Sequence, residues 1–324
     1  LQVTDLRLGE RRRSRIHREE TTMQLPDLAH GPLAEHYTTA SGALAAIGRA
    51  YYYGGRLAEA RGLLGGAVAL LAAPEAPARE RLRLLLLYGQ VALVEYFLMR
   101  GADAEPVFAA IRQAQQLAEA SQDQQGLADA LGLLGLAHYF ASVVASRAQG
   151  RPVSGAPGDG QYDDALHYQE QALELRQAIG DTRGMSESLF QIGVVYERWA
   201  QYAQSQEYYR RAYELAERGQ HLLEKTEPAR HCAIQALRAG DLDQALDCAR
   251  NALALREAAG FRPYLPLDHL LLRDIYLARG ETAQSERHAQ SAQALAETLG
   301  LQALVASVPN IRDALAAPAP QASA

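Results

Sequence analysis

A step of forty residues runs through this chain and limits what it can fold into. Alanine recurs at Ala172, Ala212, Ala252 and Ala292, and leucine at Leu175, Leu215, Leu255 and Leu295. Glycine keeps the step at Gly160, Gly240 and Gly280, with Ala200 in the missing place. It does so again at Gly180, Gly260 and Gly300, with Gly219 one residue early. Self-similarity of this period marks an array whose units each bury an apolar face against the next. Within a unit, Leu189, Ile192, Gly193 and Tyr196 follow helical spacing, a glycine turn follows, and a second helix carries the Ala and Leu columns on one face. A glycine suited to a left-handed C-cap then precedes Asp181, which can N-cap the next helix.

Composition agrees with helices. There are 61 alanines against 12 valines and 8 isoleucines, and strands favour the β-branched residues. No run approaches 18 uninterrupted apolar residues, so no transmembrane helix and no membrane partner are expected.

The repeat has a recognisable signature. The first unit reads Leu44, Ile47-Gly48, Tyr51, Gly55, Ala60, Leu64 and Ala67; the third reads Leu131, Leu134-Gly135, Gly160, Tyr162, Ala165 and Ala172. The fourth reads Leu189, Ile192-Gly193, Tyr196, Tyr202, Tyr209 and Ala212. The fifth and sixth keep Ala245, Ala252, Ala289 and Ala292 but replace Leu-Gly by Cys232-Ala233 and Leu272-Arg273. The second, around Gly89, Gly101, Ala114 and Leu117, matches least. These residues resemble the tetratricopeptide repeat, in a form longer than the family's usual ~34 residues. Such lengthened repeats are similar to those of kinesin light chains and bacterial peptide-sensing regulators. The resemblance implies an all-α, right-handed α-solenoid of six helical hairpins with a C-terminal capping helix.

On this basis, residues 1–24 form a basic tail, 25–300 the solenoid, 301–316 the capping helix and 317–324 a disordered tail. Ala114 to Ala172 spans one repeat plus 18 residues, which places an insert at 144–160. Its Gly, Pro and Ser content predicts a mobile loop between the two helices of the third unit, either a tolerated insertion or a lid.

Candidate chemistry is sparse. A net charge of −6 leaves no electrostatic case for direct nucleic-acid binding. Lys225 is the single lysine among 32 basic residues. Cys232 and Cys248, the only cysteines, are expected as packed thiols, fitting a reducing, cytoplasmic compartment. Phosphate-binding glycine loops, zinc-protease HExxH, CxxC and GxSxG patterns are missing, so the chain reads as no enzyme, with no cofactor and no metal. His138 is expected packed, and His269 with His288 lacks a third ligand. Trp199 is read as filling in for the absent turn glycine.

What remains is the inner face of the solenoid. Counted from the Leu-Gly pair, it carries Arg49, Tyr52, Tyr53, Tyr139, Phe140, Phe190, Glu197, Arg198, Arg230, Arg238 and Asp274. Aromatics and arginines are the residue types that anchor interfaces, although the same positions also pack against adjacent repeats. The two asparagines, Asn251 and Asn310, lie off the first helices. The resemblance therefore lacks the lysine and asparagine clamps of other members, and leaves arginine forks and aromatic contact to hold a ligand. The leading reading is a protein-interaction scaffold for a protein or peptide partner on the concave face. The alternative is a regulatory module of a bacterial signalling or transcription protein with an effector domain upstream of Leu1, motivated by the first methionine lying at Met23.

Overall fold

Helices pair in chain order around a common centre. The computed structural model describes residues 32–99, 101, 103–150 and 154–308, and among these are thirteen α-helices and no strand. The hairpins are α1 (Leu33–Tyr53) with α2 (Leu57–Leu70), α3 (Ala78–Met99) with α4 (Glu105–Ser121), and α5 (Gln124–Ala148) with α6 (Asp163–Ile179). They continue with α7 (Thr182–Arg198) and α8 (Tyr202–Arg218), α9 (Thr226–Ala239) and α10 (Leu242–Ala259), and α11 (Leu265–Ala278) and α12 (Thr282–Leu299). A 3₁₀ turn, Leu223–Lys225, leads into α9, and α13 (Gln302–Ser307) follows the last hairpin. The expected tails 1–24 and 317–324 lie outside the described residues, as do 309–316 of the expected cap.

The periodic columns become contact points. Ala172, Ala212 and Ala292 are fully buried, and Ala252 is 1% exposed. On the first helices, a Cβ at Gly48, Gly135 or Gly193 would lie within 2.8 Å of Leu64, Gln169 or Tyr209 on the second. Small residues are required there because the helices cross closely.

The gaps in the glycine columns are gaps of residue type only. Gly180, Gly260 and Gly300 are left-handed, at φ 74°, 69° and 71°, and Gln220 holds the same conformation at 56°. Gly219, one residue early, is right-handed at φ −83°. Gln122 (φ 55°) is the matching member across the insert. Ala200, at φ 57°, takes the missing turn-glycine conformation, so Trp199 packs edge-on against Tyr196 without replacing the glycine. Asp123 and Asp181 cap the first helices α5 and α7, and Asp241 caps the second helix α10; each accepts a backbone N–H from the residue three positions on, at 2.9–3.0 Å.

One expectation changes and two gain detail. α5 runs on to Ala148, and residues 154–161 form a bonded turn: Asp159 accepts from the N–H of Ala156 and Gln161, and Asp163 from Gly158 and Gly160, at 2.7–2.9 Å. The two carboxylates supply the acceptors that a Gly- and Pro-rich segment lacks on its own. Cys232 and Cys248 are paired as a disulfide between α9 and α10, with Cα atoms 6.1 Å apart, because the hairpin folds positions 16 residues apart onto each other. Cysteine usage therefore assigns no compartment. Finally, α3 and α5 are long and apolar enough by composition to cross a bilayer, and they are instead packed between neighbouring hairpins.

The ends of the solenoid meet. Tyr52 and Tyr53, at the end of α1, contact Phe261 edge-on with ring centroids 5.1 and 5.4 Å away, and the Arg262 N–H donates to the Tyr53 carbonyl at 2.9 Å. Leu299 fills the space beside Gly55. Residues of α1–α3 share one apolar cluster with Phe261, Leu299, Leu301 and Leu304. The array closes on itself.

Candidate functional site

Closure encloses a central cavity of about 1880 Å³, walled by the odd-numbered helices of the hairpins, with α13 contributing Leu304. All eleven positions named from the inner-face count, Arg49 through Asp274, line it.

The eleven do different work. Tyr52 belongs to the closing seam. Phe140 stacks on Phe97 at 4.0 Å, and Phe190 lies 5.2 Å from His231 on α9, so both serve packing between repeats. Arg198 donates to the Tyr139 hydroxyl from Nε at 2.9 Å and from Nη2 at 2.6 Å. Glu197 accepts from the Tyr209 hydroxyl at 2.8 Å, with His231 Nδ1 at 3.0 Å from the same oxygen. Burial pushes its carboxyl up, but His231, Arg198 and Arg238 together outweigh that and hold it at about 2. Asp274 accepts from Arg273 Nε at 2.7 Å. Arg49 is exposed to the cavity and makes no ion pair among the described residues.

The wall has two sectors. Around the seam it is mainly apolar, with Leu87, Val94, Phe97 and Phe261 beside the tyrosines, and Arg49 and Arg83 are its charged members. From α5 to α11 it is charged. Two arginines there come from second helices, which the inner-face count does not cover. Arg176, on α6, is 2% exposed and reaches between α5 and α7 to the Gly184 carbonyl (2.9 Å), Ser188 Oγ (2.8 Å) and Asp129 (3.2 Å), with Glu187 at 3.5 Å. Arg256, on α10, is 1% exposed and donates to Glu227 on α9 and Asp268 on α11. Each arginine thus ties two successive first helices together. Glu187 is 43% exposed at the cavity wall, and its burial within the ring raises its carboxyl against the pull of Arg176.

The signal for these pairs was present in the repeat. Arg176 and Arg256 lie two steps apart in a column where Ala216 and Ala296 occupy the alternate places. Glu187 and Glu227 are one step apart, and Asp129 precedes Glu187 by one step plus the insert. A charged residue in a column of alanines, matched by an acidic column, marks an ion-pair ladder between units.

The histidines resolve as packing. His138 lies 4.9 Å from Phe108 and 5.3 Å from Tyr168 in ring centroids. His269 and His288 meet, Nδ1 to Nδ1 at 2.9 Å, and no cluster of three metal-binding side chains occurs among the described residues.

Residues 158–218, the end of the insert through α8, match the tetratricopeptide-repeat family. Over that span the chain carries the tetratricopeptide repeat, and the hairpins on either side share its two-helix form. Its repeat solenoid is similar to that of the Rap conjugation gene regulator of plasmid pLS20, solved in complex with the Phr* peptide: TM-score 0.58 at 17% identity, covering 88% of this chain and 67% of that one. It is also similar to the apo form of RapI, with TM-score 0.54 at 12% identity, covering 83% of this chain and 87% of that one. At such identities the likeness is one of fold. No curated protein sequence matches the repeat array.

Proposed function

We propose that this protein is a non-catalytic interaction scaffold that holds a peptide or protein segment in its central cavity. The observation that carries this reading is the cavity itself. At about 1880 Å³ it exceeds the roughly 300–1,000 Å³ of ordinary small-molecule sites, and its wall combines an aromatic sector with a sector of arginines. The Rap regulator of similar fold was solved with a peptide bound, which lends support to a peptide over a metabolite. The same likeness to a gene regulator favours a second reading, a cytoplasmic sensor module that reports an occupied cavity to an effector domain.

The test is selection of random twelve-residue peptides on the immobilised protein, followed by anisotropy titration of the enriched sequences. Enriched peptides bind wild type and lose about tenfold or more on Tyr53→Ala with Arg198→Ala, the loss expected when interface anchors are truncated. Failure to enrich any peptide, or equal binding by the double variant, rules the cavity out as the site.

A further inference from the structure

The acids of the charged sector are already committed. Arg256 takes Glu227 and Asp268, and Glu197 is held by Tyr209 and His231. Two arginines on the inner face of α9 meet these acids only at long ion-pair distance. Arg230 stands 3.8 Å from Glu227 and 3.6 Å from Asp268, and makes no hydrogen bond among the described residues. Arg238 stands 4.0 Å from Glu197, lies flat over the Tyr202 ring at 4.3 Å, and likewise makes none. Arg230 Nε and Arg238 Nη1 are buried N–H groups without an acceptor. The other cavity-lining orphans, Arg176 Nε and Trp199 Nε1, are donors as well. A buried donor left unmatched is costly, so a wall whose orphans are all donors is complementary to an occupant rich in acceptors.

Spacing narrows the occupant. Arg230 and Arg238 are eight residues apart, two turns along one helix face, or about 12 Å at ~1.5 Å per residue. Ile234 lies between them and lines the cavity. In an extended chain, side chains four residues apart point the same way and are separated by about 13 Å. We infer that the α9 face binds an extended acidic peptide segment, with carboxylates spaced roughly four residues apart on Arg230 and Arg238 and an apolar side chain over Ile234. This rests on the peptide reading and adds its charge and register.

The experiment uses the full chain and four fluorescein-labelled nine-residue peptides on one Ala/Leu background. One has Glu at positions three and seven, one has two adjacent Glu, and two carry Gln or Lys at three and seven. Anisotropy titration shows the spaced-Glu peptide bound at least about tenfold tighter than the Gln peptide, the value of a charge-assisted hydrogen bond, with the Lys peptide weakest. Arg230→Gln and Arg238→Gln each weaken the spaced-Glu peptide by a similar factor and leave the Gln peptide unchanged, with thermal melts confirming that both variants fold. Equal binding of Glu and Gln peptides overturns the acidic register while leaving the peptide reading intact. Preference for adjacent over spaced Glu overturns the register, and binding by none of the four overturns the inference.

Discussion

The joint between the fifth and sixth hairpins is ionic, whereas the seam between the first and the sixth is aromatic. At the joint, Arg256 crosses from α10 to acids 12 and 29 residues away, and Arg256 and Glu227 follow the repeat. At the seam, Tyr52 and Tyr53 meet Phe261 from the far end of the chain, and Phe261 belongs to no repeat column. The difference teaches where each kind of contact can arise. A joint can be written once and copied, since every unit meets its neighbour in the same geometry. A seam exists only after the array has curved far enough for its ends to touch, and apolar rings, which need shape and not fixed charge geometry, suit a contact formed last.

The largest expected break is at the joint. Arg256→Ala strands Asp268, itself 1% exposed, and should cost about 3–5 kcal/mol in a denaturant titration. Replacing the pair as Arg256→Met with Asp268→Leu should recover most of that loss; a double variant as unstable as the single one would deny that the stranded charge is the cause. At the seam, Phe261→Ala should cost about 3 kcal/mol, from a ring 4% exposed, and should also open the ring. Small-angle scattering then gives a larger radius of gyration for Phe261→Ala than for Arg256→Ala under native conditions. An unchanged radius would mean that the seam does not hold the ends together.

Acid separates the two regions further. Burial lowers His138, His269 and His288, so the folded state binds fewer protons than the unfolded one just below the ordinary histidine value. Their contribution is present above pH ~6.5 and is lost as pH falls below it. Glu197, held at about 2, adds a second loss that begins below the ordinary carboxylate value and completes near that figure. Burial raises Tyr52 and Tyr264 at the seam, which stay neutral throughout. Melts between pH 7.5 and 5.5 should fall in wild type and flatten in His269→Gln with His288→Gln, while the drop caused by Phe261→Ala stays constant across that range.

The smallest effect tests the ruler. Gln220 holds a left-handed backbone where its column has glycine, so Gln220→Gly should stabilise by roughly 0.5–1 kcal/mol, set by relief of Cβ strain. A loss of stability would show that the Gln220 side chain does more than occupy the place.

The repeat made the inner-face positions countable, and all eleven reach the cavity. Their individual duties were not countable, because packing partners such as Phe97 for Phe140 sit in neighbouring units at positions the Leu-Gly frame does not index. Arg176 and Arg256 escaped because the inner-face count covers first helices only; arginine is long enough to pass between two first helices and deliver its guanidinium inside. The turn at 154–161 escaped because composition does not say which backbone N–H groups two aspartates will bond.

By itself the sequence determined the unit: two helices, their caps, the small residues at each crossing and the step between copies. All of these depend on contacts within a hairpin or between adjacent ones, so local pattern encodes them. Closure belongs to tertiary structure alone. Whether six units bring Tyr53 to Phe261 depends on a small rotation per repeat, summed over the array, and no single column records that sum. The cavity, its two-sided wall and the unmatched N–H donors of the α9 arginines exist because the sum came out closed.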